Sequence, residues 1–416
     1  MTRQVVVIGA GAAGIAAARH LLAQGVNVHV MEAAPHAGGR CITDHNRLGH
    51  PFDLGGSWVH SAAVNPMAPL AQAAGAAIIE DDPGALRAVF ARGRRLSEHE
   101  LDGYVQSWRA LLRMEVAEAS DSDPALAAYV PDTPWGPYVR HVISLLTGVD
   151  ADGASSLDLS RAETAPGEWL LPAGQGSLLA QQADALPIAF ENPVNHVDYG
   201  ADPIRVHTQR GAVEADAVIV TVSTAILREQ RITFDPPLPD AVENALAGLP
   251  LGLLNKVGIA VRPDSPLAAP GPVLIHHASV DEAIMLRPGF AGHPVVCGFA
   301  GGRYAEALEA AGEGALAAAC VDALCALYGH AIKRDLGRQL ETAWRRHPWS
   351  LGAYSTALPG HADARAVLAS GVDQRLLFAG EATDPSLFST VGGAWRSGVR
   401  AAEQYIETHG KWSVPA

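Results

Sequence analysis

The chain has 416 residues, of which 48% are hydrophobic and 18% charged, so it is not a disordered chain and is long enough for two to three domains of about 150 residues. The net charge of −14, without a Lys- or Arg-rich stripe, argues against nucleic-acid binding; it suits a small cationic partner or is ordinary solubility charge. No apolar run reaches the about 18 residues of a membrane helix, and four cysteines without metal-ligand spacing indicate reduced thiols, no structural zinc and a cytoplasmic protein.

The first predicted elements are a strand, a glycine-rich turn, a helix and a second strand. Residues 5–8 are a β-branched run suited to a buried strand, and a GxGxxG turn with Gly9, Gly11 and Gly14 follows. These glycines permit a tight turn, close approach of the backbone to a pyrophosphate, and close packing of helix on strand. Glu32 ends the second strand, where a carboxylate accepts hydrogen bonds from an adenosine ribose. The pattern predicts dinucleotide binding, so we assign this segment to the mature fold and not to a signal peptide.

A second glycine pair follows closely in the stretch EAAPHAGGRCIT. Gly39 and Arg40 offer a pyrophosphate another backbone approach and a guanidinium partner, unless the stretch is only a surface turn with a solvated arginine. Together with the first motif, this stretch resembles the FAD-binding fold of the flavin monooxygenase and amine oxidase superfamily. It does not resemble an NAD dehydrogenase.

The middle of the chain changes character several times. Residues 97–119 predict a helix capped by Ser97, and the Pro- and Asp-rich residues 120–138 predict a break. Residues 172–222 predict a loop, a helix and several strands. An Ala-rich pattern over residues 304–329 predicts a long helix.

A final strand and helix close the predicted fold. The strand ends in Gly380 and Glu381 near a helix N-terminus, which repeats the phosphate-site geometry of the first motif. We therefore predict an α/β and α+β protein with a Rossmann-like FAD-binding domain, built on a parallel sheet, and a substrate-binding domain with a mixed sheet and helices. The predicted FAD-binding domain is discontinuous, with residues 1–75, 172–240 and 345–416, and the substrate-binding domain has residues 76–171 and 241–344.

One lysine stands inside an apolar strand, in the stretch LGLLNKVGIAV. A buried ammonium group costs several kcal/mol unless it is paired or hydrated, so the position of Lys256 asks for an explanation. The ordinary explanation is a lysine on a half-exposed strand whose ammonium group reaches water. The alternative is a role in an active site, with Asn255 beside it as a structural residue.

The whole chain resembles the flavin-dependent amine oxidases, and among them the polyamine oxidases. The resemblance is carried by DLGGSWVHSAAVNPMAP, ADAVIVTVSTAILREQRITFDPPLP, LLNKV and LLFAGEATDPSLFSTVGGAWRSGVRAA. Residues 80–165 show no specific match. The resemblance implies FAD as the cofactor, and it implies noncovalent binding because Ala353 stands where monoamine oxidases have a flavin-linked cysteine.

The resemblance also implies which residues bind FAD. Backbone groups, one ribose-binding carboxylate and residues along the flavin are shared by the family. The implied cofactor-binding residues are Gly9, Gly11, Ala13, Gly14, Glu32, Gly39, Arg40, Gly55, Gly56, Ser57, Trp58, Val194, Gly380, Glu381, Thr390 and Val391. The N-terminus of the helix at Val391 would stabilise anionic reduced flavin.

Four residues are implied in catalysis: Lys256, Tyr354, Thr390 and His60, the last of which is described below. Lys256 would hold a water against flavin N5, and Tyr354 would form one wall of an aromatic cage that guides the amine. Thr390 stands where monoamine oxidases have the second cage tyrosine, so Phe388 or Trp395 would have to supply another aromatic face.

A second pair of residues is implied in contacts to the rest of the substrate. His60 matches a histidine that hydrogen-bonds a substrate nitrogen in polyamine oxidases, although a lone histidine is often structural. Glu163 is a candidate anchor for a distal ammonium group. No metal site is predicted.

The leading hypothesis is an FAD-dependent amine oxidase acting on a polyamine or another primary or secondary amine. Hydride transfer to flavin N5 gives an imine, which hydrolyses to an aldehyde, and O2 is reduced to H2O2. An L-amino-acid oxidase, which should place an Arg against the substrate carboxylate, or a desaturase-like flavoprotein is the alternative. A partner-binding protein of the same fold, as Rab dissociation inhibitors are, is the non-enzyme alternative. A histone demethylase is disfavoured because no long coiled-coil insertion or basic tail is present.

Overall fold

The computed structural model describes residues 4–82, 86–113 and 123–409. The helices in this part of the chain are α1 (Ala12–Ala23), α2 (Met67–Ala73), α3 (Glu98–Leu112), α4 (Gly136–Val142), α5 (Ser144–Thr147), α6 (Ser156–Ser160), α7 (Gln175–Ala183), α8 (Thr224–Arg228), α9 (Asp240–Gly248), α10 (Gly302–Ala311), α11 (Ala315–Tyr328), α12 (Ala364–Ser370) and α13 (Val391–His409).

The strands in the same residues are β1 (Gln4–Ile8), β2 (Asn27–Met31), β3 (Thr43–Asp44), β4 (Phe52–Asp53), β5 (Trp58–Val59), β6 (Ile79–Glu80), β7 (Leu86–Ala91), β8 (Arg94–Arg95), β9 (Trp169–Leu170), β10 (Ile188–Ala189), β11 (Val194–Asp198), β12 (Ile204–Thr208), β13 (Gly211–Ala215), β14 (Ala217–Val220), β15 (Thr233–Asp235), β16 (Leu254–Val261), β17 (Val273–Ser279), β18 (Glu282–Arg287), β19 (Val295–Gly301), β20 (Leu336–Glu341) and β21 (Leu376–Phe378).

A five-stranded sheet in the order β10-β2-β1-β14-β21 lies at the centre of the first half of the fold. All four of its strand pairs are parallel. Alanines of α1 pack with Tyr405 of α13 against Val5 and Val7 on one face, while Val6 and Ile8 pack toward the four-stranded sheet β13-β12-β11-β15. The predicted Rossmann-like parallel sheet is confirmed, and its strands come from both ends and the middle of the chain.

A seven-stranded sheet in the order β20-β16-β19-β18-β17-β7-β8 forms the second half. Strand β17 is parallel to β7 and the other pairs are antiparallel, so the predicted mixed sheet is confirmed. Cys320 and Leu324 of α11 pack against Val257 and Ile259 of β16. The strand that carries Lys256 is thus an inner strand of this sheet, covered on this face by a helix.

Of the two longest predicted helices, one starts where it is predicted and the other is broken in its middle. Helix α3 starts as predicted, with Ser97 and Glu100 forming a reciprocal capping box, and residues 114–119 of that prediction lie outside the described residues. The single Ala-rich helix is wrong: the chain forms α10 and α11, which meet at 115°. Gly312 and Gly314 have φ of 108° and 87°, which an α-helix does not accommodate, so the break lies at these glycines.

The four cysteines are buried and free. Among the described residues, no three His, Cys, Asp or Glu side chains are grouped so that they would hold a metal ion. Over the same residues, no single helix has the length and apolarity to span a membrane, although the bent pair α10 and α11 meets that test when taken together.

Candidate active site

The glycine-rich turn after β1 contains two glycines that the fold requires and one that it does not. Gly9 has φ of 106°, and a Cβ on Gly14 would lie 1.9 Å from the Gly9 carbonyl oxygen. Gly11 has an ordinary φ of −77°, and a Cβ there would meet no protein atom closer than 4.0 Å. Because no internal contact excludes a side chain at Gly11, its bare backbone leaves room for a ligand at the N-terminus of α1. Ala13 lies in this first turn with its side chain in the core.

Glu32 follows β2 directly and points its carboxylate back at the turn. Its two oxygens accept hydrogen bonds from the amides of Ala10 and Ala34 at 2.6 and 2.7 Å. Burial raises the pKa of Glu32 against the opposing effect of these amides. The amide of Asn192 donates to the Glu32 carbonyl at 2.9 Å, which brings the start of β11, at Val194, beside the carboxylate. The predicted ribose and adenine residues therefore lie together.

The second glycine pair packs on the first. Gly39 has φ of 58°, and a Cβ there would lie 3.3 Å from Gly11 Cα. Arg40 next to it donates from Nη1 to the Ala353 carbonyl at 2.9 Å and to Glu381 Oε1 at 2.8 Å. Arg40 thus joins the predicted pyrophosphate end to the segments of Tyr354 and Glu381.

Lys256 is a buried ammonium group with three oxygen partners. Its side chain is 4% exposed, and Nζ donates to the carbonyls of Asp53 and Gly55 at 2.9 and 2.5 Å and to Ser57 Oγ at 2.7 Å. These three acceptors match the three N–H donors of an ammonium group. Burial nevertheless lowers the pKa of Lys256, because desolvation disfavours the charged form. The lysine is buried and paired, and it holds the segment predicted to lie along the flavin.

The segment bound by Lys256 is tightly packed. A Cβ on Gly55 would lie 1.7 Å from the Arg40 carbonyl oxygen and 3.2 Å from Trp344 Cζ2, and one on Gly56 would lie 2.4 Å from Val391 Cγ2. Asp53, which sequence reasoning passed over inside the DLGG match, accepts hydrogen bonds from the first amides of α7 with its buried carboxylate. Glycines 55 and 56 therefore bring three distant parts of the chain into contact at one place.

Asn255 has a structural role. Its Nδ2 donates to Glu309 Oε2 at 2.7 Å, and its Oδ1 accepts from the amide of Trp344 at 3.0 Å. Glu309 also accepts from the amide of Arg346 at 2.8 Å. This buried amide and carboxylate fix the chain between β20 and Tyr354.

Tyr354 lies beside the start of β16. Its carbonyl accepts from the Gly252 amide at 2.8 Å, and its hydroxyl donates to the Leu146 carbonyl, at the end of α5, at 3.2 Å. A Cβ on Gly148 would lie 3.2 Å from Tyr354 Cε2. The end of α5 and Gly148, which follows it, therefore contact the predicted cage tyrosine directly.

The residues before α13 lie next to the Tyr354 segment. Ser389 donates from Oγ to the Ser355 carbonyl at 2.7 Å, and its amide donates to Glu381 Oε2 at 3.1 Å. The Thr390 hydroxyl accepts from the Gly393 amide at 2.9 Å and so caps α13, which begins at Val391. We call Tyr354 together with residues 388–390 the candidate amine cage.

The two aromatic residues considered for the second wall have other neighbours. Trp395 is 8% exposed and packs with Ile15 and Met67 in a core cluster. The guanidinium of Arg365 lies over the ring of Phe388, with 4.1 Å between Arg365 Cζ and the centroid of the ring. Trp395 thus belongs to the core, and Phe388 has one face covered by an arginine.

His60 is paired with a carboxylate that the sequence did not single out. Its Nδ1 lies 2.5 Å from Glu168 Oε2, and its ring stacks on Trp58, with 5.9 Å between centroids. Burial would raise the pKa of Glu168, but the hydrogen bond and charge of His60 lower it. Glu163 uses Oε1 to accept from the amides of Thr164 and Ala165. The carboxylate beside His60 is therefore Glu168.

The residues present fit FAD. The approach to Gly11, where an added Cβ would meet no protein atom closer than 4.0 Å, lies at the N-terminus of α1, whose first amides are expected to lack intrahelical partners. The Glu32 carboxylate binds the same turn, and Val391 at the N-terminus of α13 packs against Gly56. A recess lined by Arg40, Ser223 and Glu381 lies at the carboxyl ends of β14 and β21. This donor set suits a dinucleotide with a flavin at the far end.

Comparisons with known proteins agree on one family. The model of a family described as flavin containing amine oxidoreductase matches residues 12–153 and 145–406. Polyamine oxidase 1 of Oryza sativa subsp. japonica is 28% identical over 97% of this chain and 97% of its own length. Lysine-specific histone demethylase 2 of Homo sapiens is 26% identical over 97% of this chain and 53% of its own length.

Solved structures share the fold. Cyclohexylamine oxidase from Brevibacterium oxydans IH-35A superposes with a TM-score of 0.81 and 20% identity, over 98% of this chain and 99% of that chain. A double mutant of putrescine oxidase, redesigned in cofactor binding, superposes with a TM-score of 0.79 and 20% identity, over 98% and 100% of the two chains.

Proposed function

The chain belongs to the flavin containing amine oxidoreductase family, and from that premise we propose that it oxidises the C–N bond of a small cationic amine with O2 as the electron acceptor. The amine loses two electrons and two protons to give an imine, and O2 gains them to give H2O2. Water then hydrolyses the imine to an aldehyde and an amine. FAD supplies the hydride acceptor when it is bound.

The observation that carries the proposal is the environment of Lys256. An ammonium group is buried in a strand and donates all three hydrogens to the segment of residues 53–57, which continues into Trp58 and His60. Burying an ammonium group costs free energy that an apolar side chain at the same place would not, so the position favours a chemical role for Lys256 in addition to its contacts with residues 53–57. Perturbed ionisable groups of this kind mark functional sites.

The pKa of Lys256 gives it a specific task. Because burial lowers this pKa, Lys256 gives up a proton more readily than an exposed lysine does. The Ser57 hydroxyl is the one acceptor of the three that a water molecule replaces without moving the backbone. Lys256 is then placed to hold a water and to move a proton when the reduced cofactor reacts with O2.

The candidate amine cage supplies orientation. Tyr354 is fixed through its backbone to Gly252 and through its hydroxyl to Leu146, so its ring does not rotate freely. An aromatic face attracts an ammonium group and excludes water from the reacting carbon. The excess of 44 acidic over 30 basic side chains favours the approach of cations.

We propose polyamines as the first substrate class, for two reasons. A rice polyamine oxidase aligns with this chain over 97% of its own length. In addition, the segment from Trp58 to His60 directly follows the residues that bind Lys256. A methylated lysine peptide is the second candidate, since histone demethylases are among the relatives; this chain spans 53% of the human relative.

A peroxide-coupled screen of purified holoprotein tests the substrate class. Spermidine, spermine and their acetylated forms are compared with benzylamine, with L-amino acids and with a dimethyl-lysine peptide. We expect turnover with at least one polyamine at a kcat/KM about tenfold above any monoamine. Turnover restricted to amino acids, monoamines or the peptide would contradict the polyamine assignment and leave the oxidase reaction in place. No peroxide from any amine would contradict the oxidase itself.

A further inference from the structure

Arg365, on the short helix α12, is a buried guanidinium held by a carboxylate from a distant part of the chain. It is 2% exposed, and Asp158 on α6 is 4% exposed. Arg365 donates from Nε to Asp158 Oδ1 at 2.7 Å and from Nη2 to Oδ2 at 2.8 Å. This planar, two-bond contact fixes both the position and the plane of the guanidinium.

The remaining N–H groups of Arg365 contact the segment after Tyr354 and, from Nη1 at 3.3 Å, the carbonyl of Ala382. Nη1 donates to Ser355 Oγ at 2.8 Å and Nη2 lies 3.4 Å from the Ser355 carbonyl oxygen. The face of the same guanidinium covers the ring of Phe388. One side chain thus contacts Phe388 of the candidate amine cage and Ser355, which directly follows Tyr354.

Glu381 completes the chain of contacts. It accepts from Ser355 Oγ at 2.6 Å and from Arg40 Nη1 at 2.8 Å. Arg40 in turn binds the Ala353 carbonyl at 2.9 Å. Tyr354 therefore stands between two residues, each of which is bound by a guanidinium group.

The charges in this network balance. Asp158 and Glu381 are negative, Arg365 and Arg40 are positive, and both carboxylates are at most 6% exposed. Removing one of these four side chains would leave its partner as an unpaired buried charge, which is destabilising. A lysine in place of Arg365 would keep this charge balance. Only an arginine can make two parallel hydrogen bonds to Asp158 and at the same time lay a flat guanidinium over Phe388.

We propose that Arg365 is a positioning residue for amine oxidation: it holds Tyr354 and Phe388 in the arrangement that orients the amine. The inference rests on the proposed function and adds a specific residue to it. The proposed role depends on the planar guanidinium of Arg365, because a lysine would keep the charge but could not make the two parallel hydrogen bonds to Asp158.

The variant Arg365→Lys tests the proposal in purified holoprotein. We expect the limiting rate of anaerobic flavin reduction by the best amine substrate to fall about tenfold. We expect the dissociation constant for FAD, measured by flavin fluorescence, to stay within about twofold, because the lysine keeps the charge that faces Glu381. An unchanged reduction rate would overturn the proposal, and so would loss of FAD in proportion to loss of rate.

Arg161→Lys is the matched control. Arg161 and Asp363 join the same two elements, α6 and α12, through a surface ion pair of 2.9 Å outside the network. We expect this control to leave the reduction rate unchanged. A tenfold loss in the control as well would show that any change between α6 and α12 slows the reaction, which would overturn a specific role of Arg365.

A double variant separates positioning from general destabilisation. If Arg365 acts through Tyr354, Arg365→Lys lowers the reduction rate little once Tyr354→Ala has removed the ring. Equal factors in both backgrounds would overturn the proposal. If Arg365→Lys does not fold, Ser355→Ala removes the hydroxyl that links Arg365 to Glu381, and an unchanged rate in that variant would overturn the proposal. No amine-dependent reduction in the wild type would refute the proposed function, whereas a normal rate in Arg365→Lys would refute only this inference.

Discussion

The nucleotide end and the amine end of this molecule are built from different kinds of contact. At the nucleotide end, residues 9–39 form the turn, the helix and the glycine pair within one stretch of chain, and backbone amides hold the one buried carboxylate, Glu32. At the amine end, Lys256, Arg365 and Glu381 bind groups that are distant in sequence.

The buried carboxylates at the two ends respond oppositely to their surroundings. Burial dominates at Glu32 and raises its pKa. Burial acts in the same direction at Glu381, but the charges of Arg40 and Arg365 and the hydrogen bonds from Ser355 and Arg40 together lower the pKa of Glu381. The carboxylate at the nucleotide end is therefore held by backbone amides, whereas the carboxylate at the amine end depends on two arginine side chains.

Lys256→Met tests the amine end, and we expect it to have the largest effect of the variants described below. We expect FAD to stay bound and flavin turnover to slow by about two orders of magnitude or more, because the donor for a water and its proton is removed. Stopped-flow reduction and reoxidation measure it, with the exposed Lys333→Met as control. Unchanged reduction and reoxidation rates would remove Lys256 from the mechanism.

Gly11→Ala tests the nucleotide end alone. The Cβ has room within the protein, so the apoprotein should unfold at the same denaturant concentration, while the dissociation constant for FAD rises about tenfold or more. Gly153→Ala, where a Cβ makes only ordinary contacts, is the control. Full FAD affinity in Gly11→Ala would place the pyrophosphate elsewhere.

The pH dependence of stability tests the burial of Lys256. The folded pKa lies below the unfolded 10.5, so between the two values the unfolded state binds more protons. The free energy of unfolding of the wild type, relative to Lys256→Met, should therefore rise with pH in this window, by at most about 1.4 kcal/mol per pH unit. Urea unfolding at several pH values measures it, and a falling difference would contradict the assignment.

Glu168→Gln carries the smallest expected effect. It weakens the partner that orients His60, and we expect KM for the best amine to rise about threefold with kcat little changed. Glu163→Gln is the comparison, since that carboxylate hydrogen-bonds its own turn. The opposite ranking of the two variants would return the substrate contact to Glu163.

The nucleotide end was readable from sequence because its contacts are local. Gly9, Gly14 and Glu32 are joined by one turn and two neighbouring strands, and the structure places them as the motif predicts. The strand around Lys256 was also readable from its apolar pattern. Its partners were not, because Asp53, Gly55 and Ser57 are about 200 positions away and only the folded sheets bring them together.

The same limit hid the other partners at the amine end. Arg365 and Asp158 are 207 positions apart, and neither lies in a recognisable motif. Glu168 and His60 are 108 positions apart and meet because β9 pairs with β5. Side-chain partners of this kind are set by tertiary packing, so local pattern gives no signal for them. The roles of the catalytic and cofactor-binding residues named from sequence stay predictions, which the variants above test.

Anaerobic titration of the holoprotein with spermidine is the decisive test of amine oxidation by bound FAD. We expect about one equivalent of amine to abolish the visible flavin absorbance, and admitted O2 to restore it with release of about one equivalent of H2O2. Acid denaturation of the same sample should release the flavin, as noncovalent binding at Ala353 predicts. A flavin spectrum that no amine changes, or a protein that binds no flavin, would contradict the assignment of FAD-dependent amine oxidation to this protein.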